Sequence, residues 1–275
     1  MASRIATTTE GPTAIIRLGA DGGIFLTADL CEELEAALAT AVDDPDVRTI
    51  VLTGANDGVF MRHYSVAEIL AMAEALRAAG VKPGDSVPHQ DAPIDRCIRL
   101  VETAPKPVIA AINGECMGGA MELSLGCDIR FAQAGSYRLG QPETILGILP
   151  GAGGTQRLAR VIGHAAAMEH ALTGLPVLPA EALRLGMVHA VADDALAAAL
   201  ERARHFASIP PAVLAHTKRL VHAARTLPLE DGLKLERALF LDLAIRDDSM
   251  RLMRAYEAGA YDFHLEGDRW TVTMP

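Results

Sequence analysis

The sequence predicts an α/β fold with a largely parallel sheet, followed by a stretch made of helices alone. Three observations predict it. Short β-branched runs alternate with apolar patterns of period 3.6. From about Asp194 the alternation stops and helix follows helix. Half of the 275 residues are hydrophobic but only 4% are aromatic. Ala, Leu, Val and Ile must therefore fill the core, which favours helices packed on sheets.

Taken in order, Thr13–Leu18 reads as a strand. Thr27–Val42 places Leu30, Leu34, Leu38 and Val42 on one helical face. Arg48–Thr53 is a second, buried strand. Ser65 to about Ala79 is a helix, and Ser65 with Glu68 forms a capping box. Val81–Asp91 is polar, contains Pro and Gly, and reads as an exposed loop. Ile94–Glu102 is helical and ends before Pro105 and Pro107. Pro107–Ile112 is a third strand, Met117–Leu125 a short helix and Asp128–Ala132 a fourth strand. Ala195–Phe206, Pro211–Ala224 and Leu229–Gly259 are helices, and Tyr261–Pro275 is an irregular tail with the only tryptophan, Trp270. The expected division is a core at 1–205 and a helical region at 206–275, with Pro210-Pro211 close to the boundary.

Charge narrows the function classes. The chain has 25 basic and 35 acidic residues, a net charge of −10. Nucleic-acid and anionic-membrane binding need a basic face and are not expected. An anionic small ligand stays open, since a few local Lys and Arg suffice for it. Cys31, Cys97, Cys116 and Cys127 fit neither a zinc module nor a disulfide framework. Reduced thiols in a cytoplasmic protein are the expectation. The N-terminal residues lack a signal-peptide pattern. No apolar run approaches the ~18 residues of a membrane helix. The nine histidines do not cluster at metal-ligand spacing. There is no phosphate-binding Walker loop and no G-x-S-x-G or H-E-x-x-H motif, and Gly151-x-Gly153 lacks the third glycine of a dinucleotide loop.

The chemistry concentrates between Pro107 and Gly163. Gly118-Gly119-Ala120 is followed by Glu122, then by Gln141-Pro142-Glu143 and the glycine-dense Pro150–Gly154. Adding water to a double bond conjugated to a thioester puts negative charge on the thioester oxygen. Two fixed N–H groups aimed at that oxygen lower the barrier. Glycine suits such a donor because the bare backbone approaches a ligand closely. A helix starting near Gly119 adds its positive end and its unpaired N–H groups. Gly119 is the candidate donor, although Gly118-Gly119 could equally serve close helix–sheet packing. Two carboxylates can take a proton from water and return one to the α-carbon. Alone, Glu122 could simply favour the helix dipole, and Glu143 could be a solvated loop charge.

This run closely resembles the crotonase family, the enoyl-CoA hydratases and isomerases. Glu122 matches the family's helix glutamate, and Glu143 the glutamate of its Gln-Pro-Glu motif. Similarity extends over about residues 10–258. It includes Ile50–Phe60, Leu172-Thr173-Gly174, Ala180–Val188 and Leu229–Tyr256. The resemblance implies an α/β fold with a crotonase-like ββα spiral core and a C-terminal helical oligomerisation region, as a homotrimer or dimer of trimers. It implies an acyl-CoA thioester substrate and no metal or redox cofactor, with CoA arriving as part of the substrate. The Glu122–Glu143 pair is of the hydratase type, which points to an enoyl-CoA hydratase-like lyase. Other reactions of the family (isomerase, acyl-CoA hydrolase, carbon–carbon bond hydrolase) and a non-catalytic oligomeric relative are the alternatives.

Two segments depart from the family pattern. Its first oxyanion segment usually reads Phe-x-x-Gly-x-Asp, and here Phe60-Met61-Arg62-His63-Tyr64-Ser65 stands in that place. The second donor would be the Tyr64 backbone N–H. Ser65 is an equally good N-cap. If the replaced glycine needs positive φ, His63 is strained by ~1 kcal/mol or more. With Gly118, His63 and Arg62 are the candidate substrate-binding positions; His63 as a further acid/base group or a reshaped pocket wall, Arg62 toward a phosphate or carboxylate or simply solvent. The other departure is Leu18–Leu26, where Ile24 and Phe25 replace a usual Asn-Ala pair near the CoA surface. Leu70–Pro93 also looks long, as a modified lid would.

Overall fold

The computed structural model describes residues 3–85, 91–266 and 269–273. β1 (Ile5–Glu10) and β2 (Thr13–Leu18) pair antiparallel, and α1 (Ala28–Asp43) follows. The chain then lays down strands in pairs: β3 (Thr49–Gly54) and β4 (Gly58–Met61), β5 (Val108–Ile112) and β6 (Gly114–Met117), β7 (Ile129–Gln133) and β8 (Leu139–Gly140). Helices α2 (Val66–Ala78) and α3 (Pro93–Thr103) follow the first pair and α4 (Gly119–Gly126) the second. After the third come a 3-10 turn at Glu143–Leu146, α5 (Gly154–Ile162), α6 (His164–Thr173), α7 (Pro179–Leu185) and β9 (Ala190–Ala192). The first strand of each pair joins a six-stranded sheet, β1-β2-β3-β5-β7-β9, parallel beyond β1. The second joins a parallel three-stranded sheet, β4-β6-β8. This is the expected ββα spiral.

Strand burial explains the layers. β3 and β5 are buried on both faces, as central parallel strands are. Ile50 and Leu52 face one core with Leu34, Leu38 and Ile98. Val51, Ile109, Ala111 and Phe131 face the other, closed by α8 (Ala195–Ala207) through Ala195, Ala199 and Ala203. That i, i+4, i+8 alanine stripe lets α8 lie close on the sheet.

The corner between the sheets depends on missing side chains. A Cβ on Gly114 would lie 1.8 Å from the Gly58 carbonyl carbon, and one on Gly54 would lie 1.9 Å from the Val59 oxygen. Asn113 closes the corner by accepting from Gly54 N–H (2.9 Å) and donating to the Asn56 carbonyl (3.0 Å). Buried Arg130 donates to the carbonyls of Ser124, Cys127 and Met187, which satisfies the C-terminal end of α4.

Helices α9 (Pro211–Ala223), α10 (Leu229–Ala244) and α11 (Asp247–Glu257) complete the helical region. The single helix expected over Leu229–Gly259 is thus two. Arg246 is extended at ψ 142°, and Asp247 and Asp248 favour a new helix start just after it. The tail expected to be irregular forms an antiparallel hairpin, β10 (Asp262–Glu266) with β11 (Arg269–Thr273). The Ser65 capping box is half made. Ser65 Oγ accepts from Glu68 N–H (3.3 Å), but the Glu68 carboxylate accepts from Ala28 N–H (3.0 Å). Residues 86–90 of the Val81–Asp91 loop lie outside the described residues. Among the described residues no helix is long and apolar enough to cross a membrane.

Gly114→Ala is expected to lower stability at or beyond the upper end of the ~1–3 kcal/mol typical of overpacking, because backbone blocks its methyl. Gly232→Ala inside α10, where a Cβ meets nothing within 4 Å, should instead stabilise by roughly 0.5–1 kcal/mol. Denaturant midpoints of the two variants check both signs.

Candidate active site

Three segments leave the C-terminal ends of β4, β6 and β8 and meet at one cleft. Ligands of parallel sheets characteristically bind beyond strand C-termini. Tyr64 follows Met61 of β4, Gly119 follows Met117 of β6, and Glu143 follows Gly140 of β8. Tyr64, Gly119, Glu122 and Glu143 all line a cleft of about 960 Å³. Its apolar wall includes Ile69, Met72, Ile94, Ile148 and Leu149. Arg62, His63 and Gly118 are not among the described lining residues.

The two-glycine turn is shaped by close approach. Gly118 has φ 54°, and a Cβ there would stand 2.7 Å from Glu143 Oε1 and 3.4 Å from His63 Cβ. The Glu143 carboxyl group therefore rests over the bare Gly118 backbone. Gly119 opens α4, so its N–H has no partner inside the helix. A Cβ there would meet Tyr64 Cβ and the Ile94 side chain at 3.1 Å. Across from it, Leu26 N–H donates to the His63 carbonyl (2.9 Å) and Ser65 N–H donates to the Leu26 carbonyl (2.8 Å). The Tyr64 N–H between them points away from Leu26. Two backbone N–H groups thus come from neighbouring segments that both line the cleft.

The two carboxyl groups differ in surroundings. Glu122 is 3% exposed. Its Oε1 accepts from Ala152 N–H (2.8 Å) and Gly154 N–H (2.7 Å), which leaves Oε2 toward the cleft. Burial raises its pKa, and the two amides and Arg157 work against that rise by favouring the anion. Glu143 is 8% exposed and opens the 3-10 turn. Burial and the neighbouring Glu122 push its pKa up to about 7. The Gln141 carboxamide, placed with its nitrogen toward Glu143, donates to Oε2 (3.0 Å). Gln141 also packs on Gly154, where a Cβ would lie 2.9 Å from its amide. Burial thus raises both groups, but Glu122 alone of the two is opposed by Arg157 and by the amides of the Pro150–Gly154 loop, an asymmetry suited to acid–base work on one substrate.

The segment that departs from the family pattern is unstrained. Among the described residues no non-glycine residue has positive φ, so the strain expected at His63 is absent. The His63 ring packs on Phe25, with centroids 4.8 Å apart, and its Nδ1 lies 2.7 Å from the Tyr64 carbonyl. Arg62 buries its Nε without a hydrogen-bond partner among the described residues. The Tyr64 hydroxyl interacts with Glu68, which with burial raises its pKa. Of the Leu70–Pro93 segment, Ala71, Met72 and Ala92 reach the cleft.

Sequence reasoning missed Glu68 and Asp95, which add two carboxyl groups to the lining. Each also accepts a backbone N–H at a helix start, from Ala28 and Ala92 respectively. It also missed that Pro150–Gly154 supplies the amides that hold Glu122. Glycine density was the available signal, since such a segment exposes backbone N–H groups.

Known proteins place this architecture. The family model for enoyl-CoA hydratase/isomerase matches residues 25–264. A short-chain-enoyl-CoA hydratase of Clostridium acetobutylicum is 31% identical over 250 residues, covering 90% of this chain and 92% of the relative. A probable enoyl-CoA hydratase of Rhizobium meliloti is 36% identical over 255 residues, covering 91% and 93%. The crystal structure of an enoyl-CoA hydratase from Bacillus anthracis superposes with TM-score 0.82 at 32% identity, covering 93% of this chain and 96% of that one. With the crotonase-type spiral and the match over most of its length, the chain belongs to the enoyl-CoA hydratase/isomerase family.

Proposed function

We propose that this protein is an enoyl-CoA hydratase, adding water across the double bond of a trans-2-enoyl-CoA thioester. The observation that carries the reading is the unequal carboxyl pair. Glu122 is held by two amides, and burial raises Glu143 to about 7, on one cleft that Tyr64 and Gly119 also line. The names of the relatives support the same reaction.

In this reading the thioester oxygen sits between the Tyr64 and Gly119 N–H groups. Glu122 Oε2 takes a proton from water as the water oxygen bonds to the β-carbon. The π electrons move to the thioester oxygen, and the two N–H groups stabilise that enolate. The enolate collapses as its α-carbon takes the proton from Glu143. Glu122 now holds one proton and Glu143 has lost one, so a return through solvent closes the cycle with one water added. No metal or redox cofactor takes part, and CoA belongs to the substrate. Gly118 serves by letting Glu143 approach, and His63 and Arg62 border the substrate outside the cleft lining.

The protein assembles as a homotrimer or dimer of trimers in this reading. Exposed Leu172, Leu175, Leu229 and Ile245 give it apolar surface for that purpose. Four buried free cysteines suit the reducing cytoplasm.

Glu122→Gln and Glu143→Gln are each expected to lower kcat by ~10²–10⁴, the usual range of general acid–base catalysis. Loss of the conjugated-thioester absorbance of trans-2-butenoyl-CoA reads the rate, and mass analysis reads the gain of one water. Wild-type turnover in both variants would end the assignment.

The pH profile follows from the same pair. Glu143 must be protonated, so kcat/KM should fall as pH rises through about 7. Stability depends on this residue in the same direction, over a window that begins lower. The unfolded chain ionises Glu143 near 4.5 and the folded chain near 7, so Glu143 destabilises the fold increasingly over that window. Thermal melts should therefore show Glu143→Gln gaining on wild type from pH 5 to about 7 and no further above it. A constant difference across the window would contradict the burial argument.

A further inference from the structure

We propose that Arg157 is a positioning residue for Glu122, acting through the backbone of Ala152 and braced by Glu102. The inference rests on the hydratase reading of Glu122. Arg157 uses three separate donors. Its Nε and Nη2 donate to the two oxygens of Glu102, at 2.8 and 2.9 Å. Its Nη1 donates to the Ala152 carbonyl at 2.8 Å. The N–H of the same residue, Ala152, donates to Glu122 Oε1 at 2.8 Å. A guanidinium thus grips the loop that carries Glu122's amides, one residue from the second of them, Gly154.

The loop is shaped around that guanidinium. Gly153 has φ 93°, and a Cβ there would stand 2.1 Å from Arg157 Nη1. Glycine supplies both the left-handed turn and the room for the cation. Lysine could replace the charge but not the planar fork that meets a carboxylate and a carbonyl together. Arg157 and Glu102 are each 21% exposed at the side chain, so the pair is partly shielded from solvent. Arg225, just beyond α9, lies 3.7 Å from the same Glu102 carboxylate, which ties the helical region to this brace.

The brace should act on both geometry and charge. Loss of Arg157 frees the 152–153 peptide, which lies between the two peptides whose N–H groups hold Glu122, and a misplacement of ~1 Å at a catalytic group can cost ~10²-fold in rate. It also removes the nearest cation from Glu122. The charged groups facing Glu122 are Asp95 from α3, Glu143 from the 3-10 turn and Arg157 from α5. On β6, Glu115 is turned away to Arg138. His222 of α9 and Arg225 just beyond it act on Glu102. Without Arg157, Asp95 and Glu143 still face Glu122 and both are carboxyl groups, so its proton is held to higher pH.

The test is steady-state hydration of trans-2-butenoyl-CoA across pH by Arg157→Gln, Arg157→Lys and Glu102→Gln, with Glu122→Gln as the reference. In Arg157→Gln, kcat and kcat/KM should fall together by about 10–10²-fold, and the acidic limb of the profile should move to higher pH. Arg157→Lys should keep the limb near its wild-type position while kcat stays depressed. Glu102→Gln should depress kcat with Arg157 intact, and it keeps the idea testable if Arg157→Gln does not fold. Folded variants with wild-type kcat and an unmoved limb, even with lower melting temperatures, would reduce Arg157 to a structural residue. A normal rate in Glu122→Gln would instead overturn the hydratase reading, and this inference with it.

Discussion

The seating of the Glu122 carboxylate on the Ala152 and Gly154 amides is the interaction on which the rest of the site depends. A carboxylate 3% exposed is unfavourable unless hydrogen bonds replace its water. The chain supplies those bonds from backbone, which requires a loop whose amides point inward. That requirement explains Pro150–Gly154. Gly153 takes the left-handed turn, and Gly154 has no space for a side chain between Pro150 and Gln141. Glu143 gets a different solution. It lies on bare Gly118 with one carboxamide donor, and burial raises its pKa to about 7. Two identical side chains thus acquire different hydrogen-bonding surroundings from the backbone around them.

The spiral is what brings these pieces together. Each ββ pair sends its second strand into the small sheet, and each such strand releases its chain at the same edge. Tyr64, Gly119 and Glu143 are far apart in sequence, yet each lies two or three residues beyond a strand end in one parallel sheet. The corners that make this possible are tight. At Gly54 the backbones of the two strands of one pair are already in contact, and at Gly114 those of successive pairs. The precision of the site therefore originates in the packing of main chain on main chain, where side-chain adjustment cannot absorb errors.

Much of this was legible in the sequence, for identifiable reasons. The buried strands of the large sheet are runs of β-branched residues, and α1 has an apolar face of clean period. Gly118-Gly119 with Glu122 announced a helix start, because glycine and acid at those positions answer local backbone needs. The small sheet was not legible. β4, β6 and β8 have only four, four and two residues, too short for any periodicity to register. The break between α10 and α11 was hidden because one apolar period runs across it. Glu68 was read as half of a capping box, since local spacing cannot reveal that its carboxylate reaches Ala28 instead.

The departures from the family pattern look different once backbone and side chain are considered separately. An oxyanion donor at position 64 needs only an N–H with the right direction, and the Leu26 bridge sets that direction through His63 and Ser65. Tyrosine is therefore free to be there, and its ring and hydroxyl are spent on the cleft wall with Glu68. His63 needs no left-handed backbone, and its ring is held by Phe25, itself one of the departures in the preceding segment. The two unusual segments are thus one change, made on both sides of the Leu26–Tyr64 bridge. Chemistry that rests on the main chain leaves the side chains over it free to vary, which is how one site can keep its acid–base pair while its walls are rebuilt.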